Sequence, residues 1–482
     1  MNHSHCLRLT FTFNDLIKKK ISLLIVITFL GWVVQISAQS NTIKIMPLGD
    51  SITWGVNPDD PDSVGYRDFL YVQLISAGYI IDFVGSVTGG GTDPNHEGHP
   101  SWTAYNPLAP NVSLLDSLPK FLINNPPDVI LLHIGTNDIS SSLDFDEGSS
   151  LANEVIDILD TIYFFNNSIT TIVAKIIDRN DNENRHTRTM NFNDTLEIKI
   201  DSLLGTRNQN IVIVDMYNAL GLYFGTPVNS NQNFTYWTAS NTNLLYDLHP
   251  NTTGYGVMAD LWFDSLRTVL PLLVDVKVFL EGPYDNVGNT MSTALNSAGY
   301  LPLMDPYLQG DTVGSIPSSD IVDWVLVELR DKTNASTVIA SRAGFIKNNG
   351  EIVDINGTSK LNFSGIPFDD YYITVKHRNH LAVMSNSPAT LSDYTLTYNF
   401  TTGSGQFAGG SVGAKEIESG VWGMIAGNSD GNNSISFGDF NAVSNNLFQI
   451  GYKLGDHNMN GSVSVTDYNQ VSNNLFSISQ VP

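Results

Sequence analysis

From Thr42 to about Leu270, short β-rich apolar runs alternate with stretches whose apolar residues recur at helical spacing. Residues 43–48, 80–84, 129–134, 171–177 and 211–214 read as strands, and residues 66–77, 114–123, 151–164, 191–204 and 253–269 as amphipathic helices. That alternation is the signature of βαβ units around a parallel sheet, and it predicts a three-layer α/β/α domain over 42–270. From 276 to about 400 the pattern changes to period-two segments, such as 324–329 and 372–376, separated by Gly, Asn, Asp and Pro clusters. This predicts a β-rich accessory domain, loosely similar to adhesin-like modules, from whose residues no chemistry emerges. Residues 401–420 begin rich in Gly, Ser and Thr and read as a flexible linker. The remainder, 421–482, contains a segment repeated at a spacing of 28 residues.

A chain of 482 residues favours two or three folded units. Arg8 and Lys18–Lys20 precede the apolar run 21–34, and Ile36-Ser37-Ala38 offers a small-residue cleavage site. Residues 1–38 therefore read as an export signal, which predicts a secreted protein, extracellular or on a bacterial cell surface. The run falls short of the roughly 20 residues that span a bilayer, so no membrane span is expected in the mature chain. Cys6, the sole cysteine, lies within this signal, which leaves no thiol for a disulfide, a lipid anchor or a thiolate metal site. Four of the 24 basic residues and one of the 48 acidic ones also lie there, leaving 20 against 47 and a net charge of −27. A surface that acidic repels nucleic acid and anionic membranes.

The candidate chemistry sits where apolar strands end. Gly49-Asp50-Ser51 follows the first strand, placing a serine at the C-terminal edge of the sheet, where open α/β sheets bind ligands. Gly135-Thr136-Asn137-Asp138 follows another buried strand, and the Asn137 amide there could donate to an oxyanion. Asp247-Leu248-His249-Pro250 opens the last helix, with the proline suited to its first turn. His249 can take a proton from Ser51 while Asp247 holds its tautomer. Each segment alone has a plainer reading as a turn or a helix cap; their joint occurrence in this order argues for a serine esterase site.

These three blocks resemble blocks I, III and V of the GDSL/SGNH hydrolases, over about half the mature chain. Met46-Pro47-Leu48-Gly49-Asp50-Ser51-Ile52-Thr53, Gly65-Tyr66-Arg67, Asp82-Phe83-Val84-Gly85-Ser86 and His96-Glu97-Gly98-His99 are similar to carbohydrate esterase family 3, whose members are largely acetylxylan esterases. The resemblance implies a flavodoxin-like SGNH fold, a polysaccharide substrate, and catalysis without a cofactor. It implies Ser51 as nucleophile, His249 as base, and an oxyanion hole from the Ser51 and Ser101 N–H groups and Asn137. The sequence departs from the family twice. Ser101 stands where the oxyanion-hole glycine is usual, and Asp247 precedes His249 by two residues instead of three, which keeps Asp138 and Asp215 open as alternative acids. The two histidines of His96-Glu97-Gly98-His99 are three apart in a Gly-rich loop, so zincin chemistry, which needs them one helical turn apart, is disfavoured against loop packing beside the site. Trp54 and Trp102 could stack on sugar rings, close a small acyl pocket, or serve in the core.

The C-terminal repeat aligns Asn428, Asp430, Asn432, Ser434 and Asp439 with Asp456, Asn458, Asn460, Ser462 and Asp467. Oxygen side chains at loop positions 1, 3, 5 and 12 around a turn form a calcium loop of EF-hand type. The pair resembles a type I dockerin, a small calcium-binding helical pair, which implies a cohesin-like or cell-surface partner. The leading expectation is thus a secreted polysaccharide O-acetylesterase. The alternatives are a lysophospholipase or thioesterase acting on lipid esters, and a degenerate SGNH adhesion protein without activity.

Overall fold

The computed structural model describes residues 42–57, 60–109, 112–140, 149–179, 183–207, 209–220, 248–392 and 395–482. The expected signal and Asp247 lie outside them. Among the described residues no helix is long and apolar enough to cross a membrane.

The first domain carries the expected strands as β1 (Ile43–Gly49), β2 (Ile81–Phe83), β5 (Val129–His133), β6 (Thr170–Lys175) and β7 (Ile211–Asp215). Two strands were not expected, β3 (Val87–Thr88) and β4 (Asn95–Gly98). The sheet has seven strands in the order β3-β4-β1-β5-β6-β7, with β2 also paired to β1. The β1, β5, β6 and β7 pairings are parallel. One edge of β1 is shared: its first half pairs with β2 and its last two residues, Leu48 and Gly49, pair with Glu97 and Gly98 of β4. His96-Glu97-Gly98 is therefore strand instead of loop. Its polar composition masked this, because Glu97 and His96 are buried by specific hydrogen bonds.

Both faces of the sheet are covered, as a parallel sheet requires. Val129 and Leu131 point to one core with α2 (Tyr66–Ser76) and α8 (Thr252–Leu266), where Trp262 is fully buried. Ile130 and Leu132 point to the other, with α3 (Leu114–Asn124), α5 (Ser149–Phe165) and α6 (Glu183–Thr206). Three shorter helices, α1 (Ser51–Trp54), α4 (Thr136–Ser140) and α7 (Met216–Leu220), follow directly on strand ends.

The accessory domain begins earlier than its expected start at 276, with β8 (Leu272–Lys277), which joins a nine-stranded sheet. Alternation along β8 serves two cores: Leu272, Val274 and Val276 enter the accessory core, while Leu273 packs into that of the first domain. The long strands Ile321–Asp331 and Val338–Lys347 pair antiparallel at the centre of this sheet.

The expected linker is folded. Residues 400–412 form three short 3-10 turns, and 415–418 pairs with 421–424. Phe407, 1 % exposed, anchors the segment in the accessory core, and one buried aromatic outweighs the flexibility that Gly and Ser suggest. The C-terminal repeat is likewise docked. Its own apolar cluster of Ile435, Val443, Val463 and Val471 is completed by Leu381 of the accessory strand His380–Met384.

A buried polar network seals this junction. Asp323 accepts from Arg378 Nε (2.8 Å) and Tyr452 OH (2.8 Å) and faces His377 Nε2 at 3.2 Å. Arg378 also donates to the Lys453 carbonyl, and Asn379 Nδ2 to that of Asp456 (2.7 Å). His377 and His380 meet through their Nδ1 atoms at 3.0 Å, and Gly282 N–H donates to His380 Nε2. Burial would raise the Asp323 carboxyl, but Arg378 and His377 outweigh it and hold it at about 2. Burial lowers His377 and His380 below the ordinary histidine value; Asp323 opposes the shift at His377, and the Arg378 charge adds to it at both.

The sign of the resulting pH dependence follows. Rings neutral in the fold but free to protonate when unfolded contribute stability above about pH 6.5 that is lost as the pH falls below it. Asp323, depressed instead, keeps its contribution until the pH drops below about 4. Asp456, whose carboxyl burial raises to about 6, takes up a proton over the same range and opposes this loss, so the urea midpoint of the accessory and C-terminal region is expected to fall between pH 7 and pH 5 in an Asp456→Asn variant. A midpoint flat over that range would contradict neutral burial of these histidines.

Candidate active site

Strand β1 ends on Gly49, and a Cβ there would lie 2.1 Å from the His133 carbonyl oxygen, so only glycine lets β1 and β5 approach this closely. Asp50, fully buried, then caps α1 by accepting from Ile52 N–H at 2.9 Å. Burial pushes its carboxyl up to about 7, against the pull of that N–H. Ser51 is the first residue of α1, where backbone N–H groups have no intrahelical acceptor.

His249 approaches from the far end of the domain. Asn251 caps α8 by accepting from Gly254 N–H, so Pro250 lies before the cap and not in the first turn as expected. Two contacts tie this start of α8 to the segment after Ser51: Asn57 Nδ2 to Thr252 Oγ1 (3.0 Å) and Tyr255 OH to the Val56 carbonyl (2.7 Å). The consequence is a 2.8 Å contact between His249 Nε2 and Ser51 Oγ, across 198 residues of sequence. The two alternative acids point elsewhere, since Asp138 accepts from Ala104 N–H and Asp215 engages Asn218 and Lys175.

The third block holds the loop that carries Ser101. Asn137 Nδ2 donates one proton to the Trp102 carbonyl (2.9 Å), and Asp138 takes the Ala104 N–H (2.9 Å). Ser101 has φ 68°, the left-handed region, which explains why a glycine is usual there. Beside it, His99 stacks on Trp102 at 4.0 Å and on Phe121 at 5.2 Å. The buried Glu97 accepts from Ser86 Oγ and contacts His99 Nε2, both at 2.9 Å. His96 faces away from this pair: its Nδ1 accepts from Gly98 N–H, its ring meets the edge of Trp54, and burial drives it down to about 3. The two histidines thus shape the wall separately.

Sequence reasoning gave no role to the residues that brace these blocks. Arg179, just past β6, donates to the Thr136 carbonyl (2.9 Å) and Ser140 Oγ (2.8 Å), fixing α4. Arg67, buried, donates to the Trp54 carbonyl and holds that indole, 39 % exposed, beside the nucleophile. His133 lies fully buried under the site, driven by burial down to about 4. A charged or polar residue immediately after an apolar strand was the signal available for Arg179.

A serine hydroxyl held by an imidazole at the C-terminal edge of a parallel sheet defines a serine hydrolase arrangement. Residues 45–262 match the family model described as GDSL-like Lipase/Acylhydrolase, and this domain is an acylhydrolase domain of the GDSL type. A multidomain esterase of Ruminococcus flavefaciens is 25% identical over 255 residues, which is 49% of this chain and 30% of that protein. The chain thus spans under a third of the length of this curated relative. Among solved structures, a carbohydrate esterase family 3 protein of Talaromyces cellulolyticus is similar at 22% identity, covering 47% of this chain and 96% of its own, with a TM-score of 0.35. A Clostridium thermocellum family 3 carbohydrate esterase is similar at 26% identity, covering 46% and 94%, with a TM-score of 0.35.

The backbone of Ser101 yields a direct test. Ser101→Gly removes a Cβ from the left-handed region and is expected to raise the unfolding free energy by about 1 kcal/mol without loss of ester hydrolysis. Urea denaturation of both forms measures it; a destabilised variant would mean that the Ser101 side chain itself holds the loop.

Proposed function

We propose that the protein is a secreted esterase that removes O-acetyl groups from a polysaccharide such as acetylxylan. The observation that carries the reading is the 2.8 Å contact between His249 Nε2 and Ser51 Oγ, which also favours an active centre over a degenerate adhesin. His249 takes the Ser51 proton as Oγ attacks the acetyl carbon. The developing oxyanion is held by the N–H groups of Ser51 and Ser101 and by the second amide proton of Asn137. Collapse breaks the bond to the sugar oxygen, which takes the proton from His249 and leaves as a hydroxyl, and water activated by the same ring then releases acetate and restores Ser51. Asp247 is the proposed orienting carboxylate.

Two features support a small acyl group on a sugar. His99, Trp102 and Phe121 stack beside Ser101, and packed rings there favour a small acyl pocket over the long apolar channel of a lipid hydrolase. The half-exposed Trp54 offers a ring to a pyranose face. Ser51→Ala is expected to lower acetate release from acetylated xylan by about 10³-fold or more, as removal of a triad member does. Preference of the parent for a long-chain p-nitrophenyl ester would move the protein to the lipid class, and silence on both substrates would support the degenerate form.

We also propose calcium in the C-terminal loops, held by Asn428, Asp430, Asn432, Ser434 and Asp439 in one and by Asp456, Asn458, Asn460, Ser462 and Asp467 in the other. The residues fit: Asn428 is buried with Oδ1 lacking a hydrogen-bond partner, and a hard cation would satisfy that oxygen. The fit is modest, because each loop offers two carboxylates and their oxygens already accept backbone N–H groups, as Asp439 does from Ser429 and Asp467 from His457. Calcium would tie each loop to the helix that follows. Because the repeat shares its core with the accessory domain, a fixed module is favoured over a mobile appendage awaiting a cohesin-like partner. Adding calcium to chelator-treated protein is expected to raise the melting temperature, by the equivalent of about 3 kcal/mol at a hundredfold excess over Kd; an unchanged melting temperature overturns the assignment.

A further inference from the structure

The C-terminal repeat shows outward a surface unlike the rest of the chain. In a protein with 48 acidic residues, 431–452 contain one charged residue, Asp439, and 458–482 contain one, Asp467. Both are fully buried. The exposed polar positions of the helices Asp439–Asn446 and Val465–Asn473 are Asn, Ser and Thr, with Asn441 and Asn445 of the first matched at 28 residues by Asn469 and Asn473 of the second.

Four aromatic rings, those of Phe437, Phe440, Tyr468 and Phe476, form one group on this module, and Phe448 is a further exposed ring. Phe437 lies 6.2 Å from Phe440, and Phe440 lies 5.6 Å from Tyr468, all within 26° of parallel. Phe476 meets Phe437 edge-on at 5.9 Å. Phe437, Phe448 and Phe476 are 67%, 79% and 70% exposed. Phe448 and Phe476 occupy the same place in the two repeats, their N–H groups donating to the Val463 and Ile435 carbonyls respectively. Both have left-handed backbones, φ 65° and 71°, a conformation bulky residues seldom adopt. Asn would suit that turn better, so folding alone does not account for a large ring held in solvent twice over.

We propose that this face binds a neutral polysaccharide chain. Exposed rings stack on the C–H faces of pyranoses, and Asn and Ser side chains donate to and accept from sugar hydroxyls. Apart from Asp430, exposed beside Gly438, the face carries little charge, which matches a ligand that carries none and spares most of the cost of desolvating ions. A protein partner fits less well, since protein interfaces are depleted in Ser, whereas the exposed polar positions here are Asn, Ser and Thr. The site is separate from the ester chemistry and does not rest on it.

The test uses the full chain carrying Ser51→Ala, with insoluble cellulose and deacetylated xylan as probes that offer the esterase site no ester. The parent is expected to be retained on at least one of them and not on charged polygalacturonate. Phe437→Ala combined with Phe448→Asn and Phe476→Asn is expected to weaken retention by about tenfold or more without lowering the melting temperature. A second variant, Asn445→Asp with Asn473→Asp, leaves the rings alone and adds charge; it is expected to weaken retention too. No retention of the parent on neutral polymers, or undiminished retention of both variants, overturns the proposal. So does a concentration-dependent dimer, abolished by the aromatic variant, in a protein that no polysaccharide retains, which would give the face to a second copy.

Discussion

The active edge depends on how closely β1 and β5 run together. At Gly49 there is no room for a Cβ against the His133 carbonyl or Thr53 Oγ1, at 2.1 and 2.5 Å. That approach fixes where β1 turns into α1, and hence where Ser51 emerges relative to the block after β5. The groups around it are then desolvated by necessity. Asp50 and His133 are both buried there, one carboxyl pushed up and one imidazole pushed down, so burial drives each toward its neutral form. Ser51 Oγ and His249 Nε2 are the polar atoms that meet at this edge.

The sheet and its helices were legible because strands buried on both faces must be apolar throughout, and their covering helices must carry an apolar stripe. Ser51 and His249 were legible as a pair because serine ester chemistry demands particular groups at strand and helix ends, and the two do meet. What escaped has a common cause. The strand Asn95–Gly98 is made of polar residues whose burial depends on partners distant in sequence, such as Ser86 for Glu97. The supposed linker is fixed by Phe407, a single apolar residue amid Gly and Ser. The bracing role of Arg179 exists only because α4 delivers the Thr136 carbonyl to it. Local pattern reports what a segment can bury alone, and is silent on burial lent by another segment.

The same reasoning explains how the described residues, which include no cysteine, bind the modules together. An ion pair such as Asp323 with Arg378 is costly to bury and contributes little over an apolar contact, but breaking one partner leaves an uncompensated charge. Such a pair therefore acts mainly by penalising misalignment. Around it, the Lys453 and Asp456 carbonyls are satisfied by side chains of the accessory domain, so the C-terminal loops are held by groups they do not themselves contain.

Strand β8 extends the argument to the whole described chain. Its even-numbered residues enter the accessory core and Leu273 enters the esterase core, so a slip of one residue would exchange the two sets and unpack both. The strand that ends one domain is thus the strand that starts the next. Leu381 repeats the device one module further on, completing the apolar cluster of the C-terminal repeat from an accessory strand. Rotation of any module about its neighbour would expose apolar surface at β8 or Leu381 and strand the buried charges between them. If the two proposals hold, a polymer engaged on the tail and deacetylated at Ser51 would accordingly meet two sites joined by continuous packing, and not by a tether whose length sets an effective concentration.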